Sequence, residues 1–194
     1  MKRMVQKGVL SLLVLAMVIS PALAVSSFPD VAEDAEYSEA VEYLKGTGIM
    51  CGDDKGNFNP DKTVTRAEMV TIICNMLGET ENLAVSNKFY DVATTHWANR
   101  YIAKAIDLGF ISGYGNGKFG PDDTVTYEQA ITMLVRAMGQ YSAADEAGGY
   151  PNGFIYVANE RGYLIGISAN KGDQMKRQQI ATICYNIIMG GTEA

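Results

Sequence analysis

Phe28-Pro29-Asp30-Val31 returns later in the chain as Phe89-Tyr90-Asp91-Val92, an offset of 61 residues. At that same offset Gly56-Asn57-Phe58-Asn59-Pro60-Asp61 lies over Gly117-Lys118-Phe119-Gly120-Pro121-Asp122, and Thr63-Val64-Thr65 lies over Thr124-Val125-Thr126. One offset that serves three separate motifs is internal repetition, and a repeat of this length is one supersecondary unit. A third, weaker copy follows. Trp97-Ala98-Asn99-Arg100-Tyr101-Ile102 is echoed by Tyr150-Pro151-Asn152-Gly153-Phe154-Ile155, and Gly109-Phe110-Ile111 by Gly162-Tyr163-Leu164. This copy lacks the Phe-x-Asp-Val opening, and its central loop (166–176) is three residues shorter than 52–65 and has no proline.

Each unit reads as helix, turn-rich loop, helix. In copy two, Ile102, Ala105, Ile106 and Leu108 make an apolar stripe at helical spacing, closed by Gly109 as a C-cap. The loop 112–122 holds the Gly, Asn and Pro that tight turns require. Thr65-Arg66-Ala67-Glu68 is a capping box, in which the threonine oxygen takes the N3 amide and Glu68 reaches back to the Thr65 amide. Val70, Ile73, Cys74 and Leu77 then form a buried stripe. One pair of short helices cannot cover its own apolar face, so the copies must pack on one another. The expected fold is all-α, with units at 27–80, 88–140 and a degenerate 141–190.

Ahead of the units, Lys2, Arg3 and Lys7 precede an apolar run over 9–19 and a small-residue exit, Ala22-Leu23-Ala24. Residues 1–24 therefore read as a cleavable signal peptide, and the protein as secreted. No later stretch approaches the roughly 20 apolar residues of a membrane helix, so no membrane insertion is expected after cleavage. Cleavage would leave 13 basic against 22 acidic side chains. Such a chain repels phosphate backbones and anionic head groups, which argues against nucleic acid or a membrane surface as partner.

The chemistry-bearing residues are sparse. Cys51, Cys74 and Cys184 lack metal-ligand spacing, and with His96 as the single histidine no zinc site is supported. Cys74 and Cys184 fall within apolar helical stretches and read as buried thiols. Asn57, Asn59, Asp61, Thr63, Thr65 and Glu68 fall at calcium-loop spacing, but Lys62 replaces the glycine such a loop needs and Pro60 interrupts it. No cofactor or metal is expected. No Gly-x-Ser-x-Gly elbow is present and the carboxylates are spread over loops and caps, so the chain reads as non-enzymatic.

Taken together, Phe28-x-Asp30-Val31, the helix ending at Gly48-Ile49, the Gly56-x-Phe58-x-Pro60 loop and Val64-Thr65-Arg66-Ala67-Glu68 closely resemble the S-layer homology domain. Copy two adds Trp97 and Gly113-Tyr114-x-x-Gly117-x-Phe119-x-Pro121, so the resemblance runs over nearly all of residues 27–189. It implies a pseudo-threefold helical bundle with grooves between copies. Those grooves would bind secondary cell-wall polysaccharide bearing pyruvylated N-acetylmannosamine, holding the protein on bacterial peptidoglycan without a covalent bond. A ketal pyruvate is a carboxylate on a sugar, so a groove needs a cation or helix N-terminus for its charge.

Carried over by position, the resemblance makes Arg66 the carboxylate ligand and Arg177 its counterpart in copy three; copy two has Tyr127 there. Trp97 is read as a groove wall next to copy one's arginine, with a partly buried core aromatic as the alternative. Asp30 and Asp91 stand at ligand-contact positions, with the turn or cap role of an Asp ahead of a helix as the favoured alternative. Gly113 opens its loop either to admit a sugar or to permit the turn. These losses leave a second function open: a scaffold with decayed grooves that works through contacts with other surface proteins or with itself. A wall grip is expected between copies one and two.

Overall fold

The computed structural model describes residues 27–190. The reading of 1–24 as a signal peptide lies outside them. Seven helices are found among the described residues: α1 (Ser38–Gly46), α2 (Arg66–Met76), α3 (Asn99–Asp107), α4 (Tyr127–Ala137), α5 (Tyr141–Glu146), α6 (Asn152–Glu160) and α7 (Arg177–Ile188). None is long and apolar enough to cross a membrane. The fold is all-α, as the sequence predicts.

Helices α1/α2, α3/α4 and α6/α7 form three pairs. The second helix of each pair packs on the first helix of the next: α2 on α3, α4 on α6, and α7 back on α1. The ring closes at its centre through backbone alone. Val64 N–H donates to the Met175 carbonyl at 2.9 Å, Met175 N–H to Val125 at 3.0 Å, and Val125 N–H to Val64 at 2.9 Å. The side chains of Val64, Val125 and Met175 are fully buried, so apolar burial and a closed hydrogen-bond cycle coincide at one axis.

The Phe-x-Asp-Val motifs serve this core twice. Phe28 packs at a tilt against Phe58 and Phe89 against Phe119, each pair with centroids 5.4 Å apart. The third pair has no such opening, and α5 stands in its place, a helix the sequence reading did not anticipate. Ala144 of α5 is fully buried, and its carbonyl lies so close to Gly153 that any side chain there would collide with it.

Cys74 and Cys184 are buried and Cys51 is exposed; all three are free thiols. Burial pushes both inner thiols up to about 12. A raised thiol stays protonated and unreactive at pH 8. Titration of the native protein with a thiol reagent at pH 8 is expected to label Cys51 alone, with Cys74 and Cys184 reacting only after denaturation. Rapid labelling of a second thiol in the native state would contradict the packing.

Candidate functional site

The start of α2 decides where an anion can bind. Four amides at a helix N-terminus have no partner within the helix. Here the first is taken by the Asp123 carbonyl (Arg66 N–H, 2.9 Å) and the second by the Pro121 carbonyl (Ala67 N–H, 3.0 Å). The third, from Glu68, goes to Thr65 Oγ1 at 3.2 Å, while Glu68 Oε2 accepts from Thr65 N–H at 3.0 Å, completing the predicted capping box. Copy two's loop thus satisfies copy one's helix, and the same exchange recurs round the ring. Tyr127 N–H donates to Asp173, and Arg177 and Gln178 N–H donate to Lys62 and Pro60. These helix ends are spent on holding the three helix pairs in a ring, so charge recognition falls to side chains.

Arg66 follows the backbone across. Its Nε donates to the Phe119 carbonyl at 2.9 Å and Nη2 to the Ser112 carbonyl at 3.1 Å. The guanidinium also lies 4.7 Å from the ring centroids of both Tyr114 and Phe119. It is only 6 % exposed. Burial lowers its pKa, opposed by Tyr114, Asp123 and Asp91, yet an arginine keeps its charge throughout the accessible range. Two of its five N–H groups are engaged, which leaves a rigid fork presented to a cavity of about 300 Å³.

That cavity is lined by Ser112, Gly113 and Tyr114 from loop two, Gln129, Thr132 and Arg136 from α4, and Tyr150 from the third pair. No carboxylate is among its lining residues. The arrangement suits a small anionic ligand with hydroxyl groups: the guanidinium groups of Arg66 and Arg136, the neutral polar Gln129 and Thr132, two partly exposed tyrosines, and an apolar floor of Phe110, Ile111 and Met133.

The counterpart site at Arg177 has the same skeleton and a different charge. Arg177 Nε donates to the Phe58 carbonyl at 2.7 Å and Nη2 to Cys51 at 2.9 Å, the positions matching Phe119 and Ser112. Its cavity, about 180 Å³, also includes Asp53, Glu68 and Lys62. Lys62 pairs with Glu68 at 2.7 Å and Asp53 offsets the arginine, so the wall carries no net positive charge and an anion gains less there. At the third position Tyr127 is buried and offers no charge, and the cavity beneath loop three, lined by Tyr37, Gln178 and Thr182, is about 90 Å³.

The expectation that Trp97 lies beside Arg66 is corrected. Trp97 is 59 % exposed, stacked on His96 at 5.7 Å, and outside the lining of the Arg66 cavity. It precedes α3, which packs on α2, whereas Arg66 reaches over to a loop whose far wall is α4 against α6. Tyr150 fills that place instead.

Asp30 and Asp91 take hydrogen bonds from loop amides. Asp30 accepts from Phe58 and Asn59 N–H at 2.8 and 2.6 Å, and Asp91 from Phe119 and Gly120 N–H at 2.8 and 2.7 Å. Gly113 does line the cavity, and it is sterically fixed: a Cβ there would strike the Phe89 ring and lie 2.6 Å from the Lys118 carbonyl. Gln129, Thr132 and Arg136 escaped the sequence reading as site residues, since helical spacing alone does not tell which polar face closes on a neighbouring copy.

Comparison with known proteins bears on the same segments. The model of the S-layer homology domain matches residues 27–70 and 88–131. A cell surface protein of Thermoanaerobacter kivui is 36% identical over 164 residues, covering 82% of this chain and 21% of that protein. The S-layer protein sap of Bacillus anthracis is 30% identical over 185 residues, covering 90% of this chain and 22% of that one. A cellulosome-anchoring protein of Acetivibrio thermocellus is 28% identical over 118 residues, covering 58% of this chain and 26% of its own. The chain thus spans about a fifth to a quarter of the length of these relatives. Two stretches of this chain, residues 27–70 and 88–131, thus match the S-layer homology domain in tandem.

Proposed function

We propose that this protein anchors non-covalently to the bacterial cell wall by holding an acidic sugar of the secondary cell-wall polymer in the Arg66 cavity. The protein works at the cell surface, as the surface and wall proteins it is similar to do. One observation carries the finer reading: a buried, doubly tethered guanidinium facing a cavity with no carboxylate among its described lining residues. A pyruvyl ketal offers the planar carboxylate that such a fork pairs with in bidentate fashion. Residues 141–190 act as a third, degenerate repeat that closes the ring and lends Tyr150 to the cavity, and 1–24 direct export.

The Arg177 and Tyr127 positions have lost their preference for an anion, so anchoring rests on one cavity. Capture on purified walls tests it. Binding is expected to fall to background once the secondary polymer has been chemically removed. Undiminished binding to stripped walls would favour a scaffold acting through protein contacts.

A further inference from the structure

Arg136 stands apart from the other arginines of the core. Arg66 and Arg177 each donate to two backbone carbonyls. Among the described residues the half-buried Arg136 makes no hydrogen bond or ion pair, and its Nε is buried with no acceptor. It is held by rings alone, its guanidinium 4.9 Å from the Tyr141 centroid and 5.7 Å from Phe154.

The other copies show what this position does when its role is structural. At the matching places stand Asn75 and Asn186. Asn75 Nδ2 donates to the Ile49 carbonyl at 3.2 Å, and Asn186 Nδ2 to Tyr163 and Ile165 at 3.1 and 2.9 Å. Each asparagine ties the end of its own unit's first helix to its second. Arg136 gives up that tie and lines the Arg66 cavity instead. Two guanidinium groups, each flanked by two aromatic rings, then line one cavity with no carboxylate among its described lining residues. The buried Nε of Arg136 is unpaired, which is costly in the free protein. A ligand with one negative group, held by Arg66, leaves that cost in place.

We propose that Arg136 is a second anion contact and that the ligand of the Arg66 cavity carries two acidic groups, one for each guanidinium. The assignment rests on the anchoring reading above and narrows its ligand to a doubly acidic glycan segment. The two acids lie on adjacent sugars of the polymer.

Two synthetic probes test it by calorimetry: a pyruvylated N-acetylmannosamine methyl glycoside with one carboxylate, and a disaccharide with a pyruvyl ketal on each ring. The wild-type protein is expected to prefer the dianion at least tenfold, the usual worth of one charge-assisted hydrogen bond. Arg136→Gln is expected to erase that preference, so that the monoanion and the dianion bind the variant alike. Arg136→Met, which keeps an apolar stem against Tyr141 and Phe154, should behave alike and guards against a folding artefact. A wild type without the preference, or a preference that survives both substitutions, overturns the proposal. If wall capture still depends on the polymer in that case, only the Arg136 assignment falls; if it does not, the anchoring reading falls with it.

Discussion

Arg66→Gln is expected to weaken binding to solubilised wall polymer by roughly 100-fold, the loss of two hydrogen bonds between a guanidinium and a carboxylate at the low end of their range. The size follows from how the side chain is held. Arg66 is tethered at Nε and Nη2 and flanked by Tyr114 and Phe119, so little conformational freedom is lost when a ligand arrives. Glutamine retains an amide donor and some of the packing but neither the charge nor the fork. Arg66→Lys separates the two: it keeps the charge, loses the bidentate geometry, and should fall between glutamine and wild type. The Ser112 and Phe119 carbonyls lose their donors in Arg66→Gln, so stability should drop by about 1–3 kcal/mol. Calorimetry for affinity and a denaturant midpoint for folding distinguish these effects. A folded Gln variant with wild-type affinity would remove Arg66 from the site.

Most of the architecture was legible because it rests on local chemistry. The 61-residue offset, the Thr65 capping box and the glycine- and proline-bearing loops are properties of short segments, and each stands where the sequence put it. The assembled site was less legible, because its parts come from three units. Arg66 acts on carbonyls 46 and 53 residues away, across a ring whose order depends on which second helix meets which first helix. Without that order Trp97 was the natural neighbour for Arg66, and Tyr150 takes the place. Arg136 carried a readable signal, since aligning the copies sets it against Asn75 and Asn186. Its meaning appeared only once both asparagines were seen tying down carbonyls that the arginine leaves alone. The helix α5 was invisible to a comparison of repeats, being the one element the other two units lack.

Asp91→Ala is expected to destabilise the fold by about 3 kcal/mol, the sum of two hydrogen bonds to a charged group discounted for partial exposure. The carboxylate accepts from Phe119 and Gly120 N–H, and the Phe119 carbonyl in turn accepts from Arg66. One peptide segment is therefore gripped from both sides, and releasing the amides loosens the arginine's seat as well as the loop. Burial pushes the Asp91 carboxyl up, but the Phe119 and Gly120 amides and Lys118 outweigh it, so its pKa lies below the usual carboxylate value. A depressed folded pKa contributes stability above the unfolded value, near 4, and that contribution is lost as pH falls through the folded value. The difference between wild type and Asp91→Ala should accordingly be full at pH 7 and shrink below about pH 4. Urea unfolding of both proteins from pH 7 to pH 3 measures it. A difference under 1 kcal/mol at neutral pH, or one that stays constant into acid, would mean that the loop is held by its aromatic packing and that the carboxylate is incidental.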